Sequence, residues 1–134
     1  MNTFKLGLDF DWIFVRNLPN LKMSNNEYLT KIKLIDILKL KESLFKKMAK
    51  SEWYIITGRK LYLKKITIDQ LKKVVPKEYM KNFKGIYFKD NFIPDYKFKI
   101  NKCLELWIDI YIESEKKQAL KISKELHCIY YKEL

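Results

Sequence analysis

Five short apolar runs punctuate this chain, and one segment of helical spacing separates each from the next. The runs are FKLGLDF (4–10), WYIIT (53–57), GIYF (85–88), IDIYI (108–112) and HCIYY (127–131). Nearly continuous apolar runs of this length are the pattern of strands buried on both faces. Helices are expected over 28–50, 60–75, 98–107 and 114–126. In the first of these Leu29, Ile32, Ile35, Leu38, Phe45 and Met48 recur at mostly helical spacing with lysines between them. Ser24-Asn25-Asn26 can cap its start, and Pro76 closes or follows the second. Strict alternation of strand and helix predicts parallel βαβ units. The expected fold is α/β: a three-layer sandwich around a central, mainly parallel five-stranded sheet. Its 134 residues suit one domain with one core, residues 1–134.

In such sheets ligands bind beyond the carboxyl ends of the strands. That rule explains an otherwise costly arrangement at the first run. LGLDFDWIFV (6–15) carries two carboxylates, Asp9 and Asp11, in an apolar setting. Buried carboxylates are expensive unless paired. At the end of a strand they can project into a ligand crevice instead.

Other polar residues fall at equivalent places. Thr57, Gly58 and Arg59 follow the second run, and Glu113 and Ser114 follow the fourth. Lys97, Lys99 and Lys102 lie near the start of the helix leading into the fourth strand. Carboxylate oxygens suit a divalent cation such as magnesium. A hydroxyl and an ammonium can hold phosphate oxygens, and a carboxylate can serve as nucleophile.

The ordered set LGLDFDWIFV, YIITGR, KINKCLELW and IDIYIESEKKQAL resembles the four motifs of the haloacid dehalogenase-like (HAD) phosphohydrolase superfamily, over roughly residues 4–126. Its details are closest to small nucleotidase-like members. The resemblance implies a Rossmann-like core and a phosphatase, with a 5′-nucleotidase as one form. Asp9 would attack phosphorus and become transiently phosphorylated, while Asp11 would move protons. Thr57, Gly58 and a lysine would bind the phosphate. The resemblance favours Lys99 over Lys97 and Lys102, because its spacing to Glu113 matches the family's usual distance from lysine to acid. Magnesium would be held by Asp9, Asp11 through its backbone carbonyl, and Glu113. Trp12, Arg59 and Ser114 are candidate substrate contacts.

Three residues depart from the family pattern. Trp12 stands where a small residue is common, Ile13 replaces Thr or Val, and Ser114 replaces a second acid. No large cap domain is expected, because 12–52 and 58–97 are too short for one. An open site of that kind admits a macromolecule end or is closed by a second copy of the chain.

A net charge of +12 favours anionic partners, here a phosphorylated substrate such as a nucleotide or a nucleic-acid end. The lysines are spread along the whole chain, as compositional drift would also produce. The alternative to an enzyme is therefore a basic binding module on the same fold with weak or no catalysis. Cys103 and Cys128 lie far apart without neighbouring ligands, which argues against zinc and for a reducing, cytoplasmic setting. His127 is expected to be structural. No apolar stretch is long enough to span a bilayer.

Overall fold

The computed structural model describes residues 3–14 and 49–133. Five strands, β1 (Lys5–Leu8), β2 (Glu52–Thr57), β3 (Phe83–Phe88), β4 (Ile110–Glu113) and β5 (Cys128–Tyr130), form one sheet in the order β3-β2-β1-β4-β5. Every pairing is parallel. Three α-helices are described: α1 (Lys64–Val74), α2 (Asp95–Leu106) and α3 (Lys116–Ile122). The α/β sandwich read from the sequence is the observed architecture. The helix expected over 28–50 lies, except for its last two residues, outside the described residues. Between β2 and α2 the chain holds only two 3-10 turns, α1, β3 and a loop, so no large cap is built there.

Two apolar layers cover the sheet. On one face Leu6, Leu8, Trp53, Ile55 and Ile112 pack with Ile66, Leu71 and Val74 of α1. On the other, Ile56 and Tyr111 pack with Phe98 and Cys103 of α2 and Ile122 of α3. Alternation along each strand sends Ile55 to one layer and Ile56 to the other. Gly7 lies between Leu6 and Leu8 and so faces the second layer. A Cβ there would sit 2.7 Å from the Tyr111 ring. The glycine thus admits the Tyr111 side chain, whose hydroxyl donates to the Ile56 carbonyl at 2.7 Å.

Several boundaries differ from the expected ones. Helix α2 starts at Asp95, three residues early, because Pro94 supplies a fixed φ of −57° just before it. It ends at Leu106, because Trp107 just after it takes a left-handed φ of 59°, and this delays β4 to Ile110. Helix α3 is shorter than its amphipathic pattern, ending at Ile122 before a turn. No described helix is long and apolar enough to cross a membrane.

Candidate active site

The chain order reverses at the centre of the sheet. From β1 the chain builds outward through β2 and β3, then returns to place β4 on the other side of β1. Such a switch point opens a crevice at the carboxyl ends of the two central strands. Asp9 follows β1 there, with its N–H donated to the Ile112 carbonyl at 3.0 Å. Glu113 is the last residue of β4. A cleft of about 770 Å³ opens over this point, lined among others by Asp9, Asp11, Trp12, Arg59, Lys99 and Glu113.

Lys99 sits one turn into α2, facing the sheet beside Phe98, and is only 2% exposed. Its Nζ lies 2.7 Å from Glu113 Oε1 and 3.5 Å from Asp9 Oδ2. Burial alone would lower its proton affinity; the Asp9 and Glu113 charges outweigh that and keep it an ammonium. Lys97 is exposed, and Lys102 pairs with Glu105 at 2.9 Å. Of the three candidate lysines, Lys99 is the one the fold brings to the carboxylates.

Asp9 is held on both oxygens. Oδ1 accepts the Phe10 N–H at 2.8 Å, and Oδ2 accepts the Ser114 hydroxyl at 2.7 Å. Burial works to raise its pKa, but Lys99 and these hydrogen bonds carry it below the usual carboxylate value. Asp11 is pushed the other way. Burial raises its pKa more than its contacts with Arg59 lower it. Glu113, fully buried and beside the Asp9 charge, is pushed up to about 8.

The remaining sequence candidates divide by position. Trp12, with a left-handed φ of 67°, stands 48% exposed at the cleft mouth. A bulky residue in this region of backbone space is strained. Ser114 bridges toward both acids, 2.7 Å from Asp9 Oδ2 and 3.4 Å from Glu113 Oε2. Gly58 lines the cleft, and a Cβ on it would meet the Asp95 carboxylate at 2.5 Å. Thr57 is fully buried; its hydroxyl oxygen accepts the Arg59 N–H at 3.1 Å. Arg59 is also buried and reaches Asp11. Asp95, Gln118 and Tyr131 line the cleft without having been singled out in the sequence. The Pro-Asp pair opening α2 is the one signal that pointed to any of them.

No protein-family profile matches this sequence. No curated protein matches it either. Among solved structures the chain is similar to a hydrolase of the haloacid dehalogenase-like family from Streptococcus pneumoniae. That likeness has a TM-score of 0.57 at 15% identity, and covers 94% of this chain and 83% of the other. The chain has the HAD-like fold. This HAD-like core places its two central strand ends, and hence Asp9 and Glu113, at the crevice where the fold opens to a ligand.

Whether the site suits magnesium is a question of its donors. All are hard oxygens, the kind magnesium prefers. Asp9 and Glu113 share a single ammonium, while Arg59 is already matched by Asp11. One negative charge is left over; burial, and next the Asp9 charge, raise the proton affinity of Glu113. A divalent cation would satisfy that charge, so the donors fit. Among the described residues no three His, Cys, Asp or Glu side chains gather for a metal. The protein donors therefore reduce to two carboxylates and backbone, and the Asp11 carboxylate, clasped by Arg59, is not one of them.

Proposed function

We propose that the chain is a magnesium-dependent phosphohydrolase that works through an aspartyl-phosphate on Asp9. One observation carries this reading. Two carboxylates two residues apart stand at the switch point with different cations, Asp9 with the buried Lys99 ammonium at 3.5 Å and Asp11 with the Arg59 fork at 2.7 Å, and their proton affinities move apart, Asp9 down and Asp11 up. Opposed pairs of this kind are how acid and base roles are divided in enzymes. The HAD-like fold supports the same class of chemistry.

In the proposed reaction the Asp9 carboxylate attacks phosphorus in line, forming an acyl-phosphate bond as the ester P–O bond breaks. The leaving oxygen takes its proton from Asp11. Water then attacks the same phosphorus, gives a proton back to Asp11, and releases Asp9 and inorganic phosphate. Lys99 offsets charge on Asp9 and on the phosphoryl oxygens throughout. Magnesium would be held by Asp9, Glu113 and the Asp11 backbone carbonyl, and would supply charge neutralisation of the phosphoryl group. Ser114 keeps Asp9 oriented, and Gly58 leaves backbone accessible beside the phosphate.

The substrate we propose is a nucleotide or a nucleic-acid phosphate terminus. Trp12 and Tyr131 offer aromatic surface at the cleft, with Lys60 and Lys132 beside them. Bases stack on such rings, and lysines hold a phosphate backbone. The test is a panel of aryl phosphate, nucleoside monophosphates and end-phosphorylated oligonucleotides, with magnesium and with chelator. Metal-dependent release from the nucleotide members above the aryl phosphate is expected. Release indifferent to chelator would refute the mechanism.

A second reading, a basic module that binds an anionic partner without turnover, draws on Ser114 in place of a second acid. It predicts oligonucleotide binding that falls steeply with salt and survives Asp9→Asn.

A further inference from the structure

Arg59 stood among the candidate substrate contacts, yet its surroundings point elsewhere. It is 6% exposed. Its Nε lies 3.1 Å from both Asp11 oxygens, and Nη2 donates to Asp11 Oδ1 at 2.7 Å. Nη1 donates to Thr67 Oγ1 at 2.9 Å and to Gln70 Oε1 at 2.8 Å. The Thr67 hydroxyl proton is given to the Leu63 carbonyl at 2.7 Å, which leaves its lone pairs for the arginine. Beneath, the guanidinium lies 4.5 Å from the centre of the Phe10 ring. Even its backbone is pinned, with the N–H on Thr57 and the carbonyl taking the Lys89 N–H at 3.0 Å.

A group tied on its face, its fork and its far edge is poor at following a substrate. It is well suited to holding another side chain still. Thr67 and Gln70 lie three residues apart on α1, so one helix face fixes the arginine and the arginine fixes Asp11. Only a planar fork can do this; the point charge of a lysine cannot.

We infer that Arg59 is a positioning residue, which aims the Asp11 carboxyl at the leaving oxygen and uses Thr67 and Gln70 of α1 as its mount. The inference rests on the phosphohydrolase reading above. It makes the aim of the proton donor a property of a helix that does not line the cleft.

The test compares kcat/KM on two substrates, because kcat/KM reports the phosphoryl-transfer half of the reaction. A nitrophenyl phosphate has a leaving group that departs without a proton, and an alkyl phosphate has one that needs it. Arg59→Gln is expected to cut kcat/KM for the alkyl ester by about 10²-fold, the size of a general-acid contribution, and for the aryl ester by less than about tenfold. Arg59→Lys should rescue little of the alkyl deficit. Gln70→Leu, which leaves the arginine in place, should show the same selective loss in weaker form, and stands in if the Arg59 variants do not fold. Equal losses on the two esters in folded variants would overturn the positioning role, as would no loss on either. Wild-type protein inert on both would overturn the phosphohydrolase reading itself, and the inference with it.

Discussion

The two ends of the sheet are built on opposite terms. Among the described residues the fully buried side-chain hydrogen bonds at the amino-terminal end of the strands join neutral groups, and the charged ones there are part-buried or exposed. Ser51 accepts the Trp53 indole N–H at 2.7 Å, and the Asn82 amide donates to the carbonyls of Ala49 and Ser51 at 2.7 and 2.8 Å. Lys5 N–H meets Asp109 at the surface. At the carboxyl end Asp9, Arg59, Lys99 and Glu113 are all buried, with Asp11 close to it. Buried ion pairs are weak devices for stability, since desolvation offsets most of their attraction. One end thus holds the sheet together, while the other gives up stability to arrange charges around a cleft.

The largest effect should come from breaking the quiet end. Trp53 is fully buried and packs edge-on to Phe83 at 5.1 Å between ring centres. Trp53→Ala should cost about 3–5 kcal/mol in urea unfolding. The folded fraction should keep its specific activity, because nothing at the cleft is touched.

Lys99→Met attacks the other end. It leaves Asp9 and Glu113 buried without their shared cation, at a cost on the order of 3 kcal/mol, since Glu113 can take up a proton in compensation. Unlike Trp53→Ala, it should also abolish phosphate release. A variant that is destabilised yet fully active would erase the contrast between the two ends.

Acid–base linkage sharpens the comparison further. The Glu113 carboxyl is raised from its ordinary 4.5 to about 8 in the folded protein. The folded chain thus keeps a proton that the unfolded chain sheds. The stability this provides is fully present below pH 4.5 and is lost as pH rises to about 8. Metal-free protein should accordingly melt lower as pH climbs through that window. Magnesium needs the carboxylate, so its affinity should rise over the same window. Melting curves with and without magnesium, from pH 5 to 9, would display both trends.

The smallest expected effect returns to the quiet end. Ser51→Ala removes the acceptor for the Trp53 indole and should cost about 1 kcal/mol, with no change in the pH trend.

The parts of this molecule that the sequence made legible are those set by periodicity and by position at strand ends. The five strands came from apolar runs, and Asp9 and Glu113 from the polar residues that end two of them. Lys99 stands out through the resemblance, by the family's usual spacing from lysine to acid, and the fold buries it beside both acids. What stayed hidden depends on which of several polar residues turns inward. Thr67 and Gln70 are buried on the helix face they share with Ile66, Leu71 and Val74, but nothing in KKITIDQLKK says which group they meet there. Arg59 was visible, but its partner was not, because the pairing spans 48 residues and is decided by the turn at Trp12. The early start of α2 is legible in Pro94-Asp95, although the apolar spacing begins only at Phe98. The end of α3 had no stop signal, since its amphipathic pattern runs on past the last helical turn.

Whether Asp9 is the nucleophile is decided by phosphate release from wild-type and Asp9→Asn protein. The assay would use an aryl phosphate and a nucleotide, with magnesium or chelator, on samples shown to be folded. The account predicts release that needs the metal and falls at least about 10³-fold in Asp9→Asn, because no acyl-phosphate can form on the amide. Release that persists in Asp9→Asn at the wild-type rate would contradict it.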